Sequence, residues 1–254
     1  MALFPTPNLL VPMRLDQYLA ECGSLSSRSE AKRLISEGAV YIDDKQITKP
    51  AFDVSGLEDR IFVDMSRREY VSRGGIKLAG AIRGFGIDCS GKSCLDIGAS
   101  SGGFTDCLLK NGAARVIAVD SGEGQLVASI ANDARVISKE HFNARYMTGD
   151  DLDYTPELVV MDVSFISATY IIPAISSVTE SGAEFICLIK PQFEVGRAGL
   201  GKGGIVKDDR LRAEAVDKVV ACCREYGFVL KEIITSPIKG GDGNIEFLAY
   251  FIKE

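Results

Sequence analysis

Tryptophan is absent from the 254 residues, and histidine occurs once, at His141. The seven cysteines, Cys22, Cys89, Cys94, Cys107, Cys187, Cys222 and Cys223, form no CxxC pair and no regular spacing. With a single imidazole they argue against a Cys/His zinc site, so no metal is expected, and buried free thiols in a reducing cytosol are the better reading. Excess positive charge is also missing. A net charge of −6 excludes a chain that holds nucleic acid by bulk attraction, and any such binding must come from a local patch. No apolar run approaches the roughly 18 uncharged residues that a spanning helix needs. Met1 to Met13 is apolar, but it lacks a basic start, carries Pro5, Pro7 and Pro12, and meets no cleavage signal. It reads as neither a secretory signal nor a membrane span, and a cytoplasmic protein without membrane contact is expected.

What is present has ordinary globular proportions. Hydrophobic residues at 46% and charged residues at 25% exclude long disordered, collagen-like and coiled-coil chains. Residues 1–12 read as a frayed lead-in. From 13 to 64 the pattern is first helical and then extended. Leu15, Tyr18 and Leu19 share one helical face, and Gly23 ends that helix. Ser27-Arg28-Ser29-Glu30 matches a capping box, and the helix it opens runs to about Glu37, with Gly38 as its stop. Val40–Ile42, a turn at Asp43 to Gln46, Ile47, and Arg60–Val63 read as short strands. Residues 65–71 are polar and read as a linker.

Residues 72–254 then alternate strand and helix. Cys94–Ile97, Val116–Asp120, Leu158–Asp162 and Phe185–Lys190 are short apolar runs of the kind found in buried parallel strands. A helix is predicted from about Asp209 to Tyr226, and two late runs, Val229–Ile234 and Glu246–Ile252, follow. The expected fold class is α/β: a small α+β domain followed by a doubly wound, Rossmann-like domain.

Three groups of residues carry chemistry. The second helix presents Arg28, Lys32 and Arg33, which can face phosphate, although acids and bases nearly balance across this part of the chain. The segment Cys94-Leu95-Asp96-Ile97-Gly98-Ala99-Ser100-Ser101-Gly102-Gly103-Phe104-Thr105 reads as strand, tight turn and helix start. Such a turn lets backbone approach a ligand. Asp120, at the end of the next strand, is placed to hold ribose hydroxyls. Ser100 breaks the G-x-G-x-x-G spacing, and the acid Asp96 before the glycines suits cationic S-adenosylmethionine better than a pyrophosphate. A nicotinamide-dependent oxidoreductase is the alternative. The third group is Lys77, Asp162, Lys190 and Glu246, of which Asp162 and Lys190 end apolar strands where α/β sites form. Arg197, Lys202 and Lys207 lie in a basic, glycine-rich loop after Lys190, a candidate for contact with nucleic acid.

The order RLDQYLAE…SSRSEAKRLISEGAVYID resembles the RNA-binding module named for small-subunit ribosomal protein S-four. It implies binding to structured RNA through Arg28, Lys32 and Arg33. The segments SRGGIKL, DIGASSGGFTD, VDSGEGQL, MDVSFIS, LIKPQFEVG and GNIEFL then follow in order. With the first module they make the chain resemble the TlyA family, the hemolysin A group, whose catalytic domain is similar to the FtsJ ribose methyltransferases. The resemblance implies methyl transfer from S-adenosylmethionine to a cytidine 2′-hydroxyl in ribosomal RNA, with a Lys-Asp-Lys-Glu tetrad on Lys77, Asp162, Lys190 and Glu246. Gly98, Ser100, Gly102, Gly103, Phe104, Thr105, Asp120 and Asn143 are implied at the cofactor, with Arg145 nearby, and Arg73 with Arg197 and Lys202 at the RNA. His141 receives no role.

A lysine is charged near neutrality, its ordinary pKa being about 10.4, and a second lysine disfavours that charge. Lys190 is therefore expected to act as base, with Lys77 beside it, while Asp162 positions Lys190 and favours the sulfonium, and Glu246 holds Lys77 and the ribose. The older family name suggests a membrane-lytic protein, but no basic amphipathic helix supports it. Little chain follows Leu248, which leaves scant room for a further C-terminal helix, and the large ribosomal subunit is the favoured substrate.

Overall fold

The computed structural model describes residues 13–22, 25, 27–36, 38–64, 69–240 and 242–254. The expectations for the lead-in, for Gly23 and Glu37, and for most of the linker fall outside them. The chain divides between Glu69 and Tyr70 into two compact units. Tyr70 and Val71, placed in the linker from sequence, therefore belong to the second unit. The Tyr70 ring lies where any side chain at Gly75 would fall, and the Val71 amide donates to Asp106 at 2.8 Å.

In the first unit, helix α1 (Leu15–Glu21) and helix α2 (Arg28–Ser36) pack with three short strands, β1 (Val40–Ile42), β2 (Lys45–Ile47) and β3 (Ile61–Val63). The sheet order is β2-β1-β3, all antiparallel. The start of α2 follows from Ser27, whose hydroxyl accepts the Glu30 amide at 3.2 Å. The two-residue connection between β1 and β2 is Asp43-Asp44, both at positive φ (46° and 65°), the conformation that a tight hairpin requires and that aspartate tolerates. Arg60, expected in β3, instead closes a short 3-10 turn before it and grips the Asp43 carboxylate with two nitrogens. Leu15, Leu19, Leu34, Ile35 and Val40 form the core.

Polar groups also lie among these apolar residues, Asp16 and Glu30. Asp16 is fully buried in α1 and binds Arg14 at 2.9 Å and Arg28 at 3.0 Å, with the Lys32 ammonium 3.9 Å away. Burial pushes its pKa up, but the two guanidinium hydrogen bonds pull it further down, and the net shift is downward.

The second unit is built on a seven-stranded sheet, and its elements follow one another along the chain. They are α3 (Arg73–Phe85), β4 (Ser93–Ile97), α4 (Gly103–Lys110), β5 (Arg115–Val119), α5 (Ala128–Ala131), β6 (Val136–Lys139), β7 (Leu158–Met161), α6 (Ile172–Val178), β8 (Glu184–Ile189), α7 (Pro191–Glu194), α8 (Asp209–Glu225), β9 (Phe228–Thr235) and β10 (Phe247–Lys253). The strand order is β6-β5-β4-β7-β8-β10-β9. The first five strands are parallel, and β10 runs antiparallel to both its neighbours. Apolar layers cover both faces, one containing residues of α6 and α8 and the other residues of α3 and α4. β6 and α6 fall in stretches that the sequence pattern leaves unassigned.

Helix α3 lies close against its neighbours because its glycines allow it. A Cβ at Gly80 would meet Pro237 at 2.8 Å, and one at Gly84 would meet Ile234 at 2.9 Å. At its start, a Cβ on Gly103 of α4 would strike Ser72 Oγ and come within 3.0 Å of the Gly75 nitrogen. Gly74, Gly75 and Gly103 thus let two helix beginnings touch. No helix among the described residues is long and apolar enough to cross a membrane.

Asp16 has a lowered folded pKa, so its contribution to stability is present above about pH 4, the unfolded value, and is lost as the pH falls through the lower folded value. Asp16→Asn is expected to lower the thermal midpoint at pH 7 and to melt like the parent at strongly acidic pH. Circular dichroism melts of both proteins across that range check this.

Candidate active site

The chain winds away from β4 in both directions, with β5 and β6 on one side and β7 and β8 on the other. In open α/β sheets a ligand crevice forms at such a switch point, beyond the carboxyl ends of the strands. A cavity of about 390 Å³ lies there, lined by Gly98 and Ser100 after β4, Asp120 after β5, Asn143 and Ala144, and Asp162, Ser164 and Phe165 after β7. A smaller one, about 160 Å³, shares Gly98, Ser100, Asp162 and Ser164 and adds Ser72, Gly74, Gly103, Phe104 and Lys190.

The glycine turn works through its backbone. Gly98 and Gly102 have φ of 84° and 90°, and Ser100 takes φ of 47°, a left-handed conformation that a glycine would hold more cheaply. The Ser100 amide donates to Asp120 Oδ2 at 2.8 Å, and the Gly122 amide donates to the other carboxylate oxygen at 2.8 Å. Asp120 therefore ties the turn to the end of β5 while facing the larger cavity. Asn143 lines that cavity with its side-chain oxygen accepting the Arg145 amide. Arg145 stands outside, 4.8 Å from the Tyr170 ring centroid.

Two residues expected at the cofactor line neither cavity. Gly102 caps α4 and faces Leu126 and Ile130. Thr105 is fully buried, and its hydroxyl donates to Asp96 Oδ2 at 2.6 Å. Asp96 is itself wholly buried beneath the turn, and its Oδ1 has no hydrogen-bond partner. Burial, opposed by the Thr105 hydroxyl and reinforced by Asp162, raises its pKa to about 7.

The four charged residues gather at one edge. Lys190 Nζ stands 2.6 Å from Asp162 Oδ1, an ion pair without hydrogen-bond angles, and donates to Ser164 Oγ at 2.7 Å. Lys77, reaching up from α3, donates to Glu246 Oε2 at 2.5 Å. Phe247 pairs with Ile189 in the antiparallel ladder, so the next step sets Glu246 beside Lys190 on adjacent strands. Both lysines and Glu246 are buried. A Cβ at Gly240 would come within 2.5 Å of Glu246 Oε1, so glycine is needed there.

Three further residues support this edge; each lies in a segment that carries the family resemblance, but neither residue type nor spacing assigns it a role. Phe165 is 93% exposed with φ of 64°, a strained conformation for a bulky residue, and it leans on Phe193 at 5.4 Å between centroids. Glu194 is buried and accepts from Ser167 Oγ at 2.5 Å, the Ala168 amide at 2.8 Å and Lys218 at 2.9 Å. Asn244 is buried, accepts the Val206 amide at 2.9 Å and donates to the Gly204 carbonyl at 3.1 Å, binding the basic loop to the segment before Glu246. In that loop Arg197, Lys202 and Lys207 are exposed. Arg73 spends one nitrogen on the Lys239 carbonyl at 2.5 Å. In the first unit, Arg28 and Lys32 stand half-exposed around Asp16, and Arg33 is half-buried. His141 is exposed and stands 3.5 Å from Glu123.

Residues 70–253 match the FtsJ-like methyltransferase family, and residues 13–61 match the S4 domain. Hemolysin A of Brachyspira hyodysenteriae is 45% identical over 94% of this chain and 100% of its own. The 16S/23S rRNA (cytidine-2′-O)-methyltransferase TlyA of Mycobacterium tuberculosis is 43% identical over 93% of this chain and 88% of its own. The solved structure of a Streptococcus thermophilus protein superposes with a TM-score of 0.77 at 38% identity, covering 95% of this chain and 88% of that one.

A carboxyl group whose folded pKa is raised contributes stability that is full below the unfolded value and lost as the pH rises through about 7. Asp96→Asn keeps an acceptor for Thr105 and removes the buried charge. Without ligand, it is expected to melt several degrees above the parent at pH 8, the order of magnitude for a few kcal/mol in a domain of this size, with the gap closing toward pH 4. Melting curves at the two pH values measure this.

Proposed function

The chain belongs to the FtsJ-like methyltransferase family and, within it, to the TlyA or hemolysin A group, and on that premise we propose that it methylates a cytidine 2′-hydroxyl of ribosomal RNA with S-adenosylmethionine. The observation that carries the reading is the pair of buried lysines, each bound to a carboxylate, at the edge beside the glycine-turn cavity.

The cavity fits a cationic nucleoside cofactor. Asp120 and Asp162 line it, Asp96 lies beneath its floor with an unpaired oxygen, and Gly98, Ser100 and Asn143 offer backbone and amide contacts. When bound, S-adenosylmethionine supplies a methyl group activated by a sulfonium. Against that group the protein must set a ribose hydroxyl and remove its proton. Lys190 Nζ, as the neutral amine left when its ammonium form gives a proton to solvent, is the proposed acceptor: an N–H bond forms as the ribose O–H bond breaks, and the freed electron pair stays on the ribose oxygen for attack. Asp162 fixes Lys190 and adds negative charge beside the cofactor cavity. Lys77, held by Glu246, is left to donate to the hydroxyl oxygen and fix its direction. Alignment of this kind, together with proton transfer, supplies most of the gain available to a reaction with so little covalent chemistry on the protein.

Phe165 offers a bare aromatic face at the rim of the larger cavity, which suits a base turned out of its stack. The first unit would grip folded RNA by phosphate and shape, with Arg28, Lys32 and Arg33 on one helix and Arg73, Arg197 and Lys202 at the second unit. The substrate favoured is the large subunit, and the reaction would take place in the cytoplasm, where ribosomes are.

Purified small and large subunits from a strain lacking the gene, incubated with tritiated S-adenosylmethionine, test the reading. Label is expected at a cytidine ribose of the large-subunit RNA. Label confined to the small subunit would overturn the subunit choice, and no label in either would overturn the activity. Lys190→Ala should bind cofactor normally and lose roughly 10²–10⁴-fold in transfer. Phe165→Ala should weaken use of the RNA by roughly tenfold or more, in line with about 1–3 kcal/mol for a stacked base.

A further inference from the structure

Ser164 belongs to none of the roles assigned above, yet it is one of the residues that the two cavities share. Its Oγ accepts the Lys190 ammonium at 2.7 Å. We infer that Ser164 is a positioning residue for Lys190: Asp162 holds the nitrogen in place by charge, and the Ser164 oxygen takes one N–H and so sets the direction of the lone pair toward the substrate hydroxyl. The inference rests on the reading of Lys190 as proton acceptor.

The argument is one of valence. A neutral amine has two N–H bonds and one lone pair, arranged tetrahedrally with the carbon. Lys190 Nζ lies 2.6 Å from Asp162 Oδ1 and 2.7 Å from Ser164 Oγ, but only the serine contact has hydrogen-bond geometry. An N–H held on Ser164 Oγ fixes the rotation of the amine about its terminal carbon–nitrogen bond, and with it the direction of the lone pair. With Asp162 alone, the attraction sets where the nitrogen sits but not how it is turned, and the lone pair sweeps a cone. A lysine side chain carries much rotamer freedom, so a directional acceptor is needed to hold one setting.

The position of Ser164 is itself fixed from behind. The loop from Asp162 to Ser167 includes Phe165 in its strained left-handed conformation, and such a conformation persists only when the surroundings enforce it. The buried Glu194 carboxylate anchors the far end of this loop. It holds the Ser167 hydroxyl and the Ala168 amide, and Lys218 neutralises it. Glu194 lies at the end of α7, the short helix that Lys190 caps. One turn of chain thus carries both the amine and the clamp that places the amine's acceptor.

Transfer of tritiated methyl groups to ribosomal subunits from a strain lacking the gene tests this, with the full-length protein as parent, Ser164→Ala, Ser164→Cys, Ser164→Thr and Lys190→Ala. Ser164→Ala is expected to lose roughly 10²-fold in kcat, the scale of a misdirected reacting group, with unchanged KM for subunits and unchanged cofactor affinity by calorimetry. Ser164→Cys, similar in size but a weak acceptor, should fall nearly as far, so that a folding defect of the alanine protein does not hide the effect. Ser164→Thr keeps the oxygen and should recover most of the rate. A parental kcat in Ser164→Ala or Ser164→Cys would overturn the inference, as would a loss that follows cofactor affinity, which would make Ser164 only a cavity wall, or a threonine protein as slow as alanine. Lys190→Ala separates the two levels: at the parental rate it removes the reading of Lys190 as base, whereas an inactive Lys190→Ala beside a fully active Ser164→Ala removes only the role of Ser164.

Discussion

Two ion pairs, Lys77–Glu246 and Lys190–Asp162, join four separate pieces of the second unit. Removing charges from water is costly, and replacing a pair by apolar side chains is often harmless to stability, whereas stripping one partner from the other costs several kcal/mol. These pairs are therefore poor candidates for holding the fold together and good candidates for chemistry. Their placement requires contributions from α3, the ends of β7 and β8, and the residue before β10. Nearly every other feature of the unit can be read as a means of bringing those four pieces to one edge.

Glycine is the chief means. Gly80 and Gly84 let α3 lie against the Ile234–Pro237 segment, near enough for Lys77 to reach Glu246. Gly240 leaves room for the second oxygen of that glutamate. The contact of Gly103 with Gly74 and Gly75 draws the start of α3 onto the start of α4, so that the helix carrying Lys77 and the turn beside the larger cavity are set by a single packing contact. In the first unit Asp16 plays a comparable part by charge rather than size. One buried carboxylate holds Arg14 and Arg28 and draws in Lys32, which keeps cations fixed on a helix face that would otherwise carry loosely held side chains.

Long apolar runs made the parallel strands legible, because strands covered on both faces have no polar side: all of β4 and β7 is buried. β6 was not legible, since it is a half-buried edge strand whose Ser138 and Lys139 interrupt the run. The seven-residue α6, with Pro173 near its start and two serines, offers too little periodicity. The four charged residues stood out by their place at strand ends and in family motifs, and the structure gathers them. Thr105 and Gly102 stood in the same motif but serve the interior, a distinction between facing the ligand and facing the core that spacing alone does not draw. Ser164, Glu194 and Asn244 lie inside the family segments MDVSFIS, LIKPQFEVG and GNIEFL, but residue type and spacing assign them no role, because a serine, a glutamate or an asparagine acquires its role only from what folding sets beside it.

β10 follows β9 in the sequence, yet it lies between β8 and β9 in the sheet. β9 therefore touches no parallel strand and is joined to the rest of the sheet only through β10. Glu246 immediately precedes that linking strand, so the same pairing that attaches the outermost strand also sets this carboxylate beside Lys190. Attachment of the sheet's far edge and placement of the glutamate are one structural event.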